Sequence, residues 1–268
     1  MLSAMAIPVL DHLDAPGGRT PERPPVVTYA LIALSVLTLL IGPSFGLNPR
    51  YGTGQDRVCA EQRYEQHWGA VPAELLSNRP LTADQLARLP PATADCPPPV
   101  TPRKIPVLSV LTSLFVHAGW LHLLGNMLFL FVFGPGVEQR FGRLRFLLGY
   151  LTTGYLATYG WAVTEAHGVD SVRALVGASG AIAGVLGCYL RLYPRARVTT
   201  LVPLLLFLPL RFPAWLVLGL WFLLQWLSVR QDGPGVAYPV HVIGFAAGYL
   251  ATSLAVTLTR NPRTGATE

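Results

Sequence analysis

Long apolar stretches separated by polar connections dominate this chain. A helix needs about 20 mostly apolar residues to cross the hydrocarbon core of a bilayer. Six windows come close to that requirement, and they run from Val26 to about Gly46, Gly119 to Gln139, Leu144 to Thr164, Ala174 to Tyr193, Pro213 to Val229, and Val236 to about Leu258. The pattern therefore predicts an all-α, polytopic membrane protein with six transmembrane helices.

Two further apolar segments do not fit a spanning helix. The run 201–210 contains Pro203 and Pro209, and proline interrupts helical hydrogen bonding. We expect this run to form a hairpin that dips into the membrane interface. The stretch from Ile105 to Val116 mixes apolar residues with hydroxyls, and we expect it to lie in the interface as well.

Arginines at the ends of the apolar runs orient the predicted spans. Connections rich in arginine on one side of a membrane mark the cytoplasmic side. Four connecting segments carry these arginines, and in a six-span arrangement all four fall on one side of the membrane. The arginines are Arg19, Arg23, Arg140, Arg143, Arg145, Arg191, Arg195, Arg197, Arg260 and Arg263. This predicts a cytoplasmic segment over 1–25, a membrane domain over 26–259 with a long extracytoplasmic loop at 47–118, and a cytoplasmic tail over 260–268. Residues 1–25 mix acidic, basic and proline residues, so we do not expect a cleavable signal peptide.

The composition excludes two broad classes of protein. Only 13% of the residues are charged, whereas soluble domains carry about 25%, so an ordinary soluble domain is excluded. The formal net charge is +6, but the arginines are scattered and form no basic face, which argues against a nucleic-acid partner. Of the three cysteines, Cys188 lies in an apolar run as a packing residue. Cys59 and Cys96 share the long loop and could form a disulfide if that loop is extracytoplasmic.

Polar and ionisable residues inside spans are costly and mark function by default. Here such residues are few, and they include His122 and Asn126 in the second span, Ser179 in the fourth and His241 in the sixth. Each of these spans is predicted to begin at the extracytoplasmic side of the membrane. Ser179 is predicted about two helical turns from that end of its span, and His241 about a turn and a half. At about 1.5 Å per residue, all four groups fall at a similar depth in the outer half of the membrane.

The chemistry open to these residue types is narrow. A serine hydroxyl becomes a nucleophile when a base such as histidine takes its proton. The oxyanion that develops needs preplaced donors, which Asn126, His122 and the Ser179 amide can supply. Glycines at 177 and 180 would let backbone approach a substrate closely. Gly244 and Gly248 share a helix face with His241, and small residues of this kind let two spans pack tightly.

Each residue taken alone also has a structural interpretation. Ser179 could be a packing serine bonded to its own backbone, His122 with Asn126 could join two helices, and His241 could anchor at the interface. His117 and His167 are interpreted as structural or solvated. A proton-relay transporter would carry acidic residues within its spans, and the sequence has none in the middle of one. The shared depth of nucleophile, base and donors favours a hydrolase.

The motifs around these residues resemble those of the rhomboid family over about residues 105–255. The stretch from His117 through His122 to Asn126 is similar to the family's H-x-x-x-x-H-x-x-x-N, and Ser179 lies in its G-x-S-G. His241 begins its H-x-x-G-x-x-x-G. Glu138 and Arg140 lie in a stretch similar to its E-x-R-x-G.

That resemblance implies an intramembrane serine endopeptidase with a Ser–His dyad, which cleaves transmembrane segments near the extracytoplasmic face. Ser179 would be the nucleophile and His241 the base, with His122, Asn126 and the Ser179 amide in the oxyanion hole. Structural support would come from Gly177, Gly180, Gly244, Gly248, Glu138 and Arg140. The implied partners are transmembrane protein substrates and membrane lipid, with no nucleic acid, metal or small-molecule cofactor. The implied location is a bacterial plasma membrane, with multiple spans and both termini cytoplasmic.

Two departures from the family pattern affect these expectations. Leu108-Ser109 stand where the family often has Trp-Arg before the second span, and Ala183 stands where many members carry an aromatic residue that stacks on the base. The orientation of His241 should therefore depend on some other group. The alternative function is a catalytically silent rhomboid-like chaperone or substrate binder, a class marked by loss of the serine or the histidine, and both are present here.

Overall fold

Helices account for most of the residues that the computed structural model describes, which are 7–12, 24–89, 96–97, 104–202, 208–229 and 236–260. The helices are α1 (Val26–Ile41), α2 (Gly54–Trp68), α3 (Pro72–Ser77), α4 (Ala83–Leu86), α5 (Pro106–Ser113), α6 (Trp120–Phe141), α7 (Arg143–Thr164), α8 (Ser179–Leu192), α9 (Ala214–Ser228) and α10 (Tyr238–Arg260). The strands are β1 (Ile7–His12), β2 (Arg197–Val202) and β3 (Leu208–Pro213). The predicted all-α class is thus correct for most of the described chain, apart from one small sheet.

Among the described residues, α6 and α10 are each long and apolar enough to cross a membrane. Helices α1, α8 and α9 are apolar but shorter, and α7 has 22 residues. The molecule is therefore a mostly helical bundle with two helices of clear membrane length, and the number of six spans stays a prediction.

Helix α8 lies at the centre of this bundle and contacts α6, α7, α9 and α10. Its contact with α10 is backbone against backbone, because a Cβ atom at Gly244 would overlap the Gly180 carbonyl, and one at Gly248 would overlap the Gly184 carbonyl. The predicted tight packing of these two spans through small residues is confirmed.

The position predicted for Ser179 and His241 along their helices is wrong, whereas their depth in the membrane stays a prediction. Helix α8 begins at Ser179 and α10 at Tyr238, so Ser179 is the first helical residue and His241 lies in a first turn. The residues before Ser179 are diverted from a helix by pairing: Leu175 exchanges backbone hydrogen bonds with Ala70, at 2.7 and 2.9 Å. The Gly177 N–H donates to the Ser113 carbonyl at 2.9 Å, and Gly177 has φ +119°, which favours glycine.

The long loop at 47–118 carries its own helices, α2 to α5, which the sequence pattern did not predict. We name residues 54–86, which contain α2 to α4, the cap. Cys59 and Cys96 form a disulfide, which settles the pairing that the sequence left open. Gln66 Nε2 donates to the Val172 carbonyl at 2.9 Å, so the cap is attached to the segment that leads into α8.

Strands β2 and β3 form an antiparallel hairpin, and β1 pairs with β2 on its other side. This pairing confirms a hairpin in the region of 201–210, and its expected place in the membrane interface stays a prediction. Residues 203–207 lie outside the described residues, as do residues 13–23, 230–235 and the tail from 261. Strand β1 was not predicted. Its pairing brings residues 7–12 to the same end of the molecule as the connection between α8 and α9.

Glu138 stabilises the start of α1 from within α6. Its carboxylate accepts hydrogen bonds from the backbone N–H groups of Val27, at 3.0 Å, and Thr28, at 2.7 Å. The Thr28 hydroxyl donates to it as well, at 2.7 Å. Pro25 precedes α1 without a side-chain cap, so Glu138 satisfies donors that a helix start leaves unpaired. Arg140 is exposed in the last turn of α6, where a positive charge complements the helix dipole.

Candidate active site

His122 and Asn126 lie one turn apart at the start of α6 and pack against the backbone that leads into α8. A Cβ atom at Gly177 would come 2.7 Å from both Cε1 and Nε2 of His122, and 3.7 Å from Nδ2 of Asn126. Only a glycine leaves room for the His122 ring at this position. The turn therefore holds both side chains two residues from Ser179.

Asn126 is buried, with 8% of its surface exposed. Its Nδ2 donates to the His122 carbonyl at 3.1 Å, which fixes the side chain along the helix. An amide nitrogen carries two hydrogens, so the second can serve a ligand oxygen. Asn126 and His122 together provide donors of the type that an oxyanion requires.

His117 supports His122 from the turn before α6. The two rings meet edge to face with centroids 5.2 Å apart, and His117 Nδ1 lies 3.1 Å from the Phe115 carbonyl. Burial, with a smaller effect of His122, lowers the pKa of His117 to about 4. His117 is therefore a neutral, buried packing residue, as expected from the sequence, and His167 is exposed after α7.

Ser179 is partly exposed between two buried neighbours, Ala178 and Gly180. His241 lies three residues before Gly244, whose contact with the Gly180 carbonyl joins the two helices at this level. Within the described residues, Ser179 and His241 do not share a hydrogen bond. Catalytic hydrogen bonds are often long before a substrate binds. The lack of a hydrogen bond between these two described residues is therefore compatible with either a reactive or a silent pair.

Sequence reasoning missed two residues of α9 that contact His241. Gln225 Oε1 lies 2.7 Å from His241 Nδ1. The Trp221 ring lies 5.9 Å from the imidazole, centroid to centroid, with 38° between their planes. These contacts replace the aromatic residue that Ala183 does not supply. The signal that could have found Gln225 is its amide, a polar group in the last third of an otherwise apolar predicted span.

The Leu108-Ser109 departure lies in α5. Leu108 is exposed, whereas Ser109 is buried and donates to the Pro106 carbonyl at 2.6 Å. The bond stays within the first turn of α5. Ser109 therefore stabilises its own helix.

Comparison with known proteins identifies the family. A model of the Rhomboid domain matches residues 106–257 of the chain, which is more than half of it and includes every residue of the candidate site. The chain belongs to the rhomboid family. Rhomboid proteins are integral membrane proteins and are generally serine proteases that cleave within the membrane, a setting that the apolar lengths of α6 and α10 fit.

Individual relatives match shorter stretches. The Bacillus subtilis protein named "Putative rhomboid protease YdcA" is 44% identical over 81 residues, which are 30% of this rhomboid chain and 39% of that protein. "Rhomboid-like protein 11, chloroplastic" of Arabidopsis thaliana is 41% identical over 76 residues, 28% of the chain and 25% of the relative. "Rhomboid protein 1, mitochondrial" of Saccharomyces cerevisiae is 31% identical over 96 residues, 35% and 28% of the two chains. The chain thus spans about two fifths or less of each of these relatives.

Proposed function

We propose that this rhomboid chain is an intramembrane serine endopeptidase that cleaves transmembrane segments of other proteins with a Ser179–His241 dyad. The observation that carries the proposal is the packing of His122 and Asn126 against Gly177. It sets two candidate oxyanion donors two residues from Ser179, at the start of a helix that contacts the helix of His241. Family membership supports the same chemistry.

The reaction follows from the roles of these groups. The Ser179 hydroxyl attacks the substrate carbonyl while His241 takes its proton, and the carbonyl oxygen becomes an oxyanion. His122, Asn126 and the Ser179 N–H donate hydrogen bonds to that oxyanion. The imidazolium of His241 then protonates the leaving amine, and water hydrolyses the acyl-enzyme by the same steps.

The proposed orientation places the site near the extracytoplasmic face. The Cys59–Cys96 disulfide supports this, because disulfides persist in oxidising compartments. Residues 1–25 and 260–268, which precede and follow the membrane domain at 26–259 in the sequence, would then both be cytoplasmic. The membrane would be a bacterial plasma membrane. Suitable substrates are transmembrane helices with small, helix-breaking residues near the outer face, because an extended peptide is needed for attack.

The alternative is a silent rhomboid-like protein that binds membrane proteins without cleaving them. The absence of a hydrogen bond between Ser179 and His241 in the described structure is the observation that favours it. Such a protein would retain the helical bundle and have no activated serine.

Cleavage in proteoliposomes distinguishes the two functions. We expect the wild type to cut a fluorescent transmembrane peptide with a Gly-Ala segment near its outer end, and Ser179→Ala and His241→Ala to leave it intact. Ser77→Ala and His167→Ala change exposed residues of the same types and should cleave like the wild type. A folded wild type that retains the peptide uncut would favour the binder.

A further inference from the structure

Gln225 is a buried amide on α9, a helix whose other buried residues, Ala214 and Leu218, are apolar. It is 6% exposed, whereas its neighbours Leu224 and Trp226 are 37% and 55% exposed. A buried amide without a hydrogen bond is destabilising in proteins, so the side chain requires a partner. That partner is the ring of His241, 16 residues away along the chain and 2.7 Å away in space.

The partner atom decides where the imidazole proton lies. A neutral imidazole carries one N–H and one lone pair on opposite ring nitrogens, and an amide oxygen can only accept. With Oε1 of Gln225 against Nδ1, the proton must lie on Nδ1. The lone pair then lies on Nε2, which is the nitrogen that can accept a proton from a serine.

A glutamine with only a structural role would be expected to bond to a group outside the proposed active site. Gln66, which is also buried, donates to a backbone carbonyl and joins two segments. Gln225 instead contacts the side chain that the proposed chemistry uses as its base, while the Trp221 ring of the same helix lies beside the imidazole, tilted by 38°. Helix α9 thus restrains both the tilt and the tautomer of one ring.

We propose that Gln225 is a positioning residue that orients His241 and holds it in the tautomer with a basic Nε2, an inference that rests on the proposed protease function. The amide takes the place that a carboxylate has in a three-residue serine protease site. It does so without charge, which suits a membrane interior because a buried carboxylate would need its own compensation.

The kinetic test compares Gln225→Leu and Gln225→Glu with the wild type in the proteoliposome assay. Leucine keeps the volume and loses the acceptor, so kcat should fall about 100-fold, within the usual contribution of a positioned base, while KM changes less than about twofold. Glutamate keeps an acceptor and should retain most of kcat at high pH. Leu223→Ala on the same helix, 50% exposed, is the matched control and should behave like the wild type.

The glutamate variant adds a pH signature that a structural role would not produce. Among the described residues, the groups that the structure sets beside His241 are Gln225 and Trp221 of α9, Tyr238 of its own helix and His122 of α6. None of them is an acid that could stabilise an imidazolium. A carboxylate at position 225 would do so, and the acidic limb of the rate profile should therefore move to higher pH.

A spectroscopic readout does not depend on activity. In protein labelled with ¹⁵N-histidine, the His241 signals, assigned by their loss in His241→Ala, should show a protonated Nδ1 and an unprotonated Nε2, and Gln225→Leu should show a mixture of tautomers. A wild type protonated at Nε2, or a Gln225→Leu variant with wild-type kcat and tautomer, would overturn the inference while leaving the protease function standing. A folded wild type that cleaves nothing would overturn both. Should Gln225→Leu fail to fold, the wild-type tautomer and the Gln225→Glu profile still decide.

Discussion

The ion pair between Lys104 and Glu74 should decide whether the cap remains folded on the bundle. The two charged atoms are 2.6 Å apart, and the side chains are only 2% and 0% exposed. Lys104 Nζ also donates to the Gln66 carbonyl at 2.6 Å. Burial lowers the pKa of Lys104, and the charge of Glu74 partly offsets this effect. Each buried charge is therefore stabilised by the opposite charge of its partner.

The Lys104→Met variant would leave the Glu74 carboxylate buried without its counter-charge. Breaking a buried pair in this way costs about 3–5 kcal/mol, more than the loss of a single neutral hydrogen bond at about 1 kcal/mol. The loss should fall on the cap, because the contact of α8 with α10 does not involve either residue. The double variant Lys104→Met, Glu74→Leu removes both charges and should recover most of the stability.

Hydrogen exchange measured by mass spectrometry shows where along the chain the stability is lost. Amide protection of peptides from the cap should fall about 10²- to 10⁴-fold in Lys104→Met, because about 1.4 kcal/mol corresponds to a factor of ten, while peptides from α8 exchange as in the wild type. The reasoning would be refuted if the single variant were as protected as the wild type, or if the double variant exchanged as fast as the single one.

Three further perturbations test other parts of the structure. Gly244→Ala should separate α8 from α10, lower the thermal stability by about 1–3 kcal/mol and abolish cleavage, whereas Gly219→Ala, where an added Cβ meets nothing within 4 Å, should be neutral in thermal unfolding and cleavage assays. Glu138→Ala should destabilise α1 by about 1–3 kcal/mol, because the buried N–H of Thr28 loses its acceptor, and faster exchange limited to α1 would show it. Burial, with a smaller effect of Glu61, raises the pKa of Glu65 from 4.5 to about 7. The unfolded chain then releases this proton at lower pH than the folded chain, so cap stability should fall as pH rises from about 4.5 to 7; Glu65→Gln should reduce that fall in a pH series of thermal unfolding.

Apolar patterning was sufficient to predict the helices of the bundle. Helices α6, α7 and α9 begin within one residue of the predicted spans and end within two, because apolar length alone determines where a chain can leave a membrane. The small residues of α8 and α10 also indicated their contact, since only glycine permits two backbones to approach so closely.

What the sequence could not give depends on contacts between distant segments. The start of α8 follows from the pairing of Leu175 with Ala70 and from the hydrogen bond of Gly177 to Ser113, and no local pattern encodes either. The cap lacks the apolar periodicity of a span, and it is held by the hydrogen bond of Gln66 to Val172 and by the buried Lys104–Glu74 ion pair. The role of Gln225 could not be inferred before the packing of α9 against α10 brought it to His241.

Covalent labelling with a fluorophosphonate tests the central claim most directly, because only an activated serine reacts with it. The purified wild type, in detergent and shown to be folded, should form an adduct that peptide mapping places on Ser179, and Ser179→Ala and His241→Ala should stay unlabelled. An adduct on a different residue, equal labelling of wild type and Ser179→Ala, or no labelling of the folded wild type would contradict the account of Ser179 as the nucleophile.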